Sequence, residues 1–223
     1  LAKLYQESGM FNEAASMYKM ILRDNPKDPL YNNYLFNLAL MYEVTDNTPA
    51  AIKEYNNYID KNKSKKENAD VQFKIATIQR KKNQLSNSIA SYKKYIDMQG
   101  ATRENKIEAH YWMYDLNKKK GVAQNANRTE QNIRGLMGNL DAGQKTTANA
   151  YLAKVKFIQA KEIFKELQAI KIPANPAKQK KAVDAKLSTM NKLNDHLGAV
   201  VKLDSAEEIV GSLYLLGMAN EHV

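Results

Sequence analysis

The chain has 223 residues, 43% of them hydrophobic and 26% charged, a balance that supports a folded core and excludes wholesale disorder. It contains no cysteine, which excludes disulfides, thiolate zinc sites and a cysteine nucleophile. The formal net charge is +10; this admits nucleic acid, anionic lipid or an acidic partner, although lysines spread over the whole chain also describe a solvated surface.

Glycine (9) and proline (5) are scarce, which favours long helices joined by few turns. The sequence opens on Leu1-Ala2-Lys3-Leu4-Tyr5, already in helical periodicity, with no signal-peptide pattern and no initiator methionine. It is therefore expected to be a piece of a longer chain. No apolar run reaches the roughly 18 residues that span a bilayer.

Three segments then repeat. Ala14, Tyr18, Ile21 and Leu22 mark the first. Ala51, Ile52, Tyr55, Tyr58 and Ile59 mark the second, and Ser88, Ile89, Tyr92, Tyr95 and Ile96 the third. The tyrosines at 18, 55 and 92 stand 37 residues apart both times, and Tyr-x-x-Tyr-Ile-Asp recurs outright in the last two. Such self-similarity is the signature of a repeat architecture. Each segment reads as the second helix of a hairpin. The first helix carries Leu35, Leu38, Ala39 and Tyr42 before the second copy, and Val71, Ile75 and Ile78 before the third, at three- and four-residue spacing. Polar stretches at 25–29 and 61–68 lack apolar periodicity and are expected to be linkers.

The first copy resembles a tetratricopeptide repeat (TPR). Leu1, Ala2 and Tyr5 match its first-helix packing positions, Gly9 its turn, and Phe11 the position after the turn. Ala14 is its small contact residue, Tyr18 its second-helix aromatic and Pro26 its closing proline. The second copy keeps Leu38, Ala39, Tyr42, Ala51 and Tyr55 but has Asp46 at the turn. The third keeps Ile75, Ala76 and Tyr92, with Gln79 in place of the usual tyrosine and Ser88 in place of alanine. The family repeat is 34 residues, so a spacing of 37 here implies three extra residues, expected in the linker. The lengthened repeat resembles those of bacterial cell-envelope scaffold proteins, which favours a periplasmic or envelope setting over the cytoplasm.

A fourth, degenerate hairpin is expected from helices over 103–120 and up to about 140, with Gly121 at its turn and Ala126 as its contact residue. Residues 1–140 thus read as about four hairpins. Residues 141–204 read as a long antiparallel helical hairpin. Its first helix covers 144–170, Pro173 and Pro176 break it, and the second aligns Val183, Leu187, Met190, Leu193, Leu197 and Val200 on one face. Residues 205–223 open on Ser205, three before Glu208, a spacing that can cap a helix start reciprocally. They read as the first helix of a further, interrupted repeat. A long hairpin inserted between repeats resembles TPR proteins of deltaproteobacterial gliding or envelope machinery. The fold class expected is all-α: a TPR-like α-solenoid of antiparallel hairpins with a long helical hairpin near the C-terminus.

The sequence offers little for chemistry. His110, His196 and His222 lie on separate expected helices, without the one-face spacing of a zinc site. There is no phosphate-binding glycine loop and no nucleophile elbow. No catalytic residue, metal site or cofactor is expected. The TPR resemblance implies instead an inner face lined by the first helix of each repeat. Carried over position by position, it comprises Asn33, Phe36, Asn37 and Leu40, then Phe73, Lys74, Thr77, Arg80 and Lys81, then His110, Tyr111, Tyr114 and Lys118. Amides, aromatics and cations suit a peptide groove. Leu40 stands where chaperone-tail clamps carry asparagine, so that ligand is not expected. Replacing Phe73 and Arg80 is expected to weaken partner capture without lowering Tm. The run His110-Tyr111-Trp112-Met113-Tyr114 covers the whole helix circumference, so part of it must meet another helix, a partner or solvent; a contact surface is one reading, and burial between the repeats and the long hairpin is the favoured one. Lysines 178, 180, 181 and 186 form a basic patch at the start of the last long helix.

A protein or peptide partner is the reading these residues favour. An RNA-binding helical repeat is the alternative offered by the charge, but such readers need a regular polar code. Positions 33, 70 and 107 hold Asn33, Asp70 and Ile107 instead.

Overall fold

The computed structural model describes residues 1–122 and 126–222; Val223, the last residue of the expected interrupted repeat, lies outside them. Eleven helices and no strand occur among the described residues. They fall into two compact units, Leu1–Thr102 and Arg103–Val223.

The first unit is three hairpins: α1 (Ala2–Glu7) with α2 (Phe11–Asp24), α3 (Tyr31–Val44) with α4 (Thr48–Lys61), and α5 (Lys65–Lys81) with α6 (Leu85–Asp97). Each also packs on the next, α2 against α3 and α4 against α5. The register of the sequence becomes a register of contacts. Ala14, Ala51 and Ser88 are fully buried where helices cross, because a small side chain lets two backbones approach. Phe36 meets Tyr55 and Tyr58 edge-on at 5.6 Å each, and Phe73 meets Tyr92 and Tyr95 at 5.4 and 5.0 Å. Edge-on geometry sets the positive ring rim against a negative face.

The turns obey the same register. Gly9, Asp46 and Asn83 all have positive φ, at 74°, 61° and 56°. The amide of the following residue reaches back five positions each time: Met10 to Tyr5, Asn47 to Tyr42, Gln84 to Gln79. Loss of glycine from the second and third turns therefore did not change the turn. Asp and Asn are the non-glycine residues that bear the left-handed conformation best.

Two expectations change here. Leu1 precedes the first helical residue and stays exposed rather than packing. The three extra residues are not all linker either: α5 has 17 residues against 14 in α3, and it begins inside the polar stretch expected as a connection. Ser64 caps it by accepting from the Glu67 amide at 3.3 Å. Asn62 donates to Tyr58 Oη, Glu67 Oε2 and Asn68 Oδ1 at 3.1, 2.9 and 3.0 Å, and Asn68 donates back to the Ile59 and Asn62 carbonyls. The polar residues there satisfy the end of α4 and the start of α5 together. Gly100, after α6, has φ +90°, and a Cβ on it would lie 2.7 Å from the Lys65 and Lys66 backbone. Only glycine lets that connection cross so closely.

The second unit is built on α9 (Ala142–Ala169). Asp141 and Gln144 form a capping box at its start. Its first half packs on α7 (Arg103–Lys119) and α8 (Ala126–Leu136) through Ala148, Leu152 and Val155 against Ile107, Tyr114 and Ile133. Its second half, with Ile163, Phe164 and Leu167, packs on α10 (Pro176–Val201) and α11 (Ala206–His222) through Met190, Leu193, Leu197, Leu215 and Ala219. The helices of the expected fourth hairpin thus lie in the same compact unit as the long hairpin, Arg103–Val223. Gly121 makes the expected turn with φ +71°, and α8 ends at Leu136, short of 140. The apolar face expected along all of α10 is covered only from Met190 onward, with Val183 and Leu187 exposed. The core gathered around Met190 includes α11 residues and none from the first turns of α10. At the start of α11, the Ser205 hydroxyl donates to the Glu208 carboxylate. Gly211 faces the Phe157 ring, where a Cβ would lie 2.7 Å from Cζ.

Candidate functional site

In the first unit, α3 and α5 enclose a cleft of about 420 Å³ lined by Asn33, Phe36, Asn37, Tyr58, Glu67, Asp70 and Val71. This lies within the roughly 300–1,000 Å³ of typical ligand sites. Three residues expected on the inner face meet in it: Asn33, Phe36 and Asn37. Asn33 is exposed and Phe36 half-buried, its ring held by Tyr55 and Tyr58. Four lining residues were not foreseen. Asp70 stands 37 residues after Asn33, so the repeat register could have found it. Glu67 could not be found that way, because it belongs to the extra first turn of α5.

Glu67 is held in place. Tyr58 Oη donates to its Oε2 at 3.0 Å and Asn62 Nδ2 at 2.9 Å. These bonds, Asn62 first, keep its pKa below the ordinary carboxylate value, since they favour the charged form. Burial first, and then the Glu67 carboxylate, push the Tyr58 phenol up to about 12.

Other inner-face candidates are engaged within the chain. Leu40 packs on the first unit's core. Lys74 pairs with Glu43 at 2.9 Å and lies 5.7 Å over the Tyr55 ring. Thr77 Oγ1 lies 3.3 Å from Tyr92 Oη, and Arg80 Nε donates to the same oxygen at 3.3 Å. Phe73 braces Tyr92 and Tyr95. Phe73 and Arg80 therefore hold the third repeat together, and their replacement is expected to lower Tm. Lys81 is exposed.

In the second unit, the aromatic run packs against α9. Tyr111 contacts Tyr151 and Trp112, at 5.4 and 4.8 Å between centroids. Tyr111 and Tyr114 are 9% and 2% exposed, so both serve the core rather than a presented face. The indole of Trp112 donates to Glu108 at 2.9 Å. His110 is half-buried, and burial, with Lys106 second, lowers its pKa. Lys118 lies 3.7 Å from Glu162. Of the basic patch on α10, Lys186 is buried while Lys178, Lys180 and Lys181 are exposed. No group of three or more His, Asp or Glu residues that could hold a metal occurs among the described residues. No helix among them is long and apolar enough to cross a membrane.

With this geometry established, comparison with solved structures decides the fold. TPR-like repeats from Podosopora anserina superpose with a TM-score of 0.50 at 11% identity, covering 86% of this chain and 92% of that one. A second structure of those repeats gives 0.51 at 11% identity over 87% and 93%. A TPR repeats protein from Bacteroides fragilis gives 0.50 at 14% identity over 100% and 96%. The fold is that of a TPR-like α-solenoid. No family model matches the sequence, and no curated protein does.

Proposed function

We propose that the chain is a non-catalytic scaffold that binds a peptide or partner protein through the cleft between α3 and α5. The observation that carries this reading is the convergence in one cleft of two amides, an aromatic ring and the Asp70 carboxylate from two successive first helices. Amides can hydrogen-bond an extended backbone, and a rigid ring anchors a side chain. The ring is braced from behind, so binding would cost little side-chain ordering. We extend the proposal to a bacterial envelope assembly on the strength of the lengthened repeat alone. The RNA-binding alternative finds no support in this cleft, whose lining holds two carboxylates and no Lys or Arg.

The test is a peptide-display selection against the purified chain. Asn33 is exposed and has no hydrogen-bonding or ionic partner among the described residues, so Asn33→Trp fills the cleft without disturbing the core. Selected peptides are expected to lose binding to that variant while Tm holds. Peptides that bind both proteins alike would show that the cleft is not the site.

A further inference from the structure

The cleft has a charge opposite to that of the chain. The net charge is +10, yet the lining residues carry two carboxylates and no cation. Glu67 and Asp70 are three residues apart on α5, which sets them on neighbouring positions of one helix face. Two like charges so placed work against each other. Among the described residues neither takes part in an ion pair, in contrast to Glu43 nearby, which has Lys74.

The remaining groups specify what would relieve them. Tyr58 and Asn62 both occupy Oε2 of Glu67. With a weaker contribution from the Ser64 hydroxyl, they keep that group ionised at neutral pH without bringing any cation to it. Asp70 has no protein donor on either oxygen. The unmet requirement is thus for hydrogen-bond donors that carry positive charge. Phe36 and Val71 add an apolar wall in the same cleft, against which the methylene stem of a long cation can lie. A ring beside two carboxylates also favours the cation itself.

This feature is built by one local change in the repeat. Glu67 lies 37 residues after Leu30, which precedes α3, and Asp70 lies 37 after Asn33. The extra first turn of α5 therefore supplies one acid, and an Asn-to-Asp difference between repeats supplies the other.

We infer that the cleft takes a Lys or Arg side chain of an extended peptide, with its cation between Glu67 and Asp70 and its stem along Phe36 and Val71. This rests on the peptide-binding reading above. A phosphate backbone would be repelled by the same two groups, so a nucleic acid is the wrong occupant.

The test uses the full chain and labelled, otherwise degenerate dodecapeptide pools whose central residue is fixed as Lys, Arg, norleucine or Glu, read by fluorescence anisotropy. The Lys and Arg pools are expected to bind several-fold more tightly than the other two. Raising NaCl from about 50 to about 300 mM should erase most of that advantage, because exposed charge is screened within a few ångströms at the higher salt. Asp70→Asn should reduce the preference about threefold, the scale of one exposed charge pair. Asp70→Lys should invert it toward the Glu pool. Asp70 is exposed and unpartnered, so both variants should keep the parent's Tm. Glu67→Gln, which still accepts from Tyr58 and Asn62, is the second charge variant. A Lys pool no tighter than the norleucine pool, or tighter binding of a single-stranded oligonucleotide of equal length, overturns the inference. If pools then still lose binding on Asn33→Trp, the peptide-binding reading stands without it. If no pool responds to Asn33→Trp, both fall.

Discussion

Tyr18, Tyr55 and Tyr92 occupy the same place in three successive repeats, and each hydroxyl meets the residue twelve positions earlier. The partner differs in charge. Tyr18 Oη donates to the neutral Gln6 amide oxygen at 2.9 Å, and its second hydrogen-bonding side chain, the Asn37 amide, is neutral too. Tyr55 Oη donates to the Glu43 carboxylate at 2.7 Å. Tyr92 Oη instead accepts from Arg80 Nε at 3.3 Å, with Thr77 Oγ1 also 3.3 Å away. The three rings are 3%, 0% and 0% exposed, so Tyr→Phe removes one oxygen from nearly the same surroundings each time. A neutral hydrogen bond contributes about 1 kcal/mol net, and one to a charged group about 2 kcal/mol. Tyr18→Phe should therefore cost about 1 kcal/mol and Tyr55→Phe about 2 kcal/mol. Tyr92→Phe should sit near the lower figure, because the contacts with Arg80 and Thr77 are long and both of those residues are only half-buried. Urea unfolding followed by circular dichroism measures this. With a slope of about 2 kcal/mol per molar urea, Tyr55→Phe should shift the midpoint about 0.5 M further than Tyr18→Phe does. Equal shifts for all three, or a smaller one for Tyr55→Phe, would refute the claim that the acceptor's charge sets the strength of the bond.

Further outcomes follow from the backbone and from titration. Asn83 has φ 56°, so Asn83→Gly should raise stability by about 0.5 kcal/mol and Asn83→Ala lower it by about 1 kcal/mol, read as opposite shifts in the urea midpoint. Gly100→Ala combines positive φ with a Cβ 2.7 Å from backbone atoms. It should cost about 3 kcal/mol, visible as a large fall in Tm. At alkaline pH, burial and Glu67 raise the Tyr58 pKa to about 12 in the folded chain, from an ordinary value of 10.0. The unfolded chain ionises first, so this stabilisation is full below pH 10 and is lost as pH climbs toward 12. Tyr58→Phe should flatten the fall in stability across that window by about 1.4 kcal/mol per pH unit. An unchanged slope would mean that the phenol titrates normally in the fold.

Helix periodicity and the 37-residue register are local properties, and they were legible in the sequence. Alanines and tyrosines at fixed spacing required paired helices, because each helix alone leaves an apolar stripe uncovered. The turn at Asp46 was placed for the same reason. The cleft was half legible: Asn33, Phe36 and Asn37 share one helix, but Glu67 and Asp70 reach them only when α5 packs beside α3. No one-dimensional pattern carries that juxtaposition. The start of α5 was misplaced because its first turn is polar and is held by tertiary partners, Asn62 and Tyr58, rather than by an apolar stripe. Likewise the sequence could show that His110 to Tyr114 must touch several surroundings. Burial against the long hairpin was the favoured expectation, but only the tertiary structure decided that Tyr111 and Tyr114 are the rings α9 covers, and that the first turns of α10 leave Val183 and Leu187 in water. Burial depends on which faces meet, and a helix of given periodicity is compatible with many neighbours.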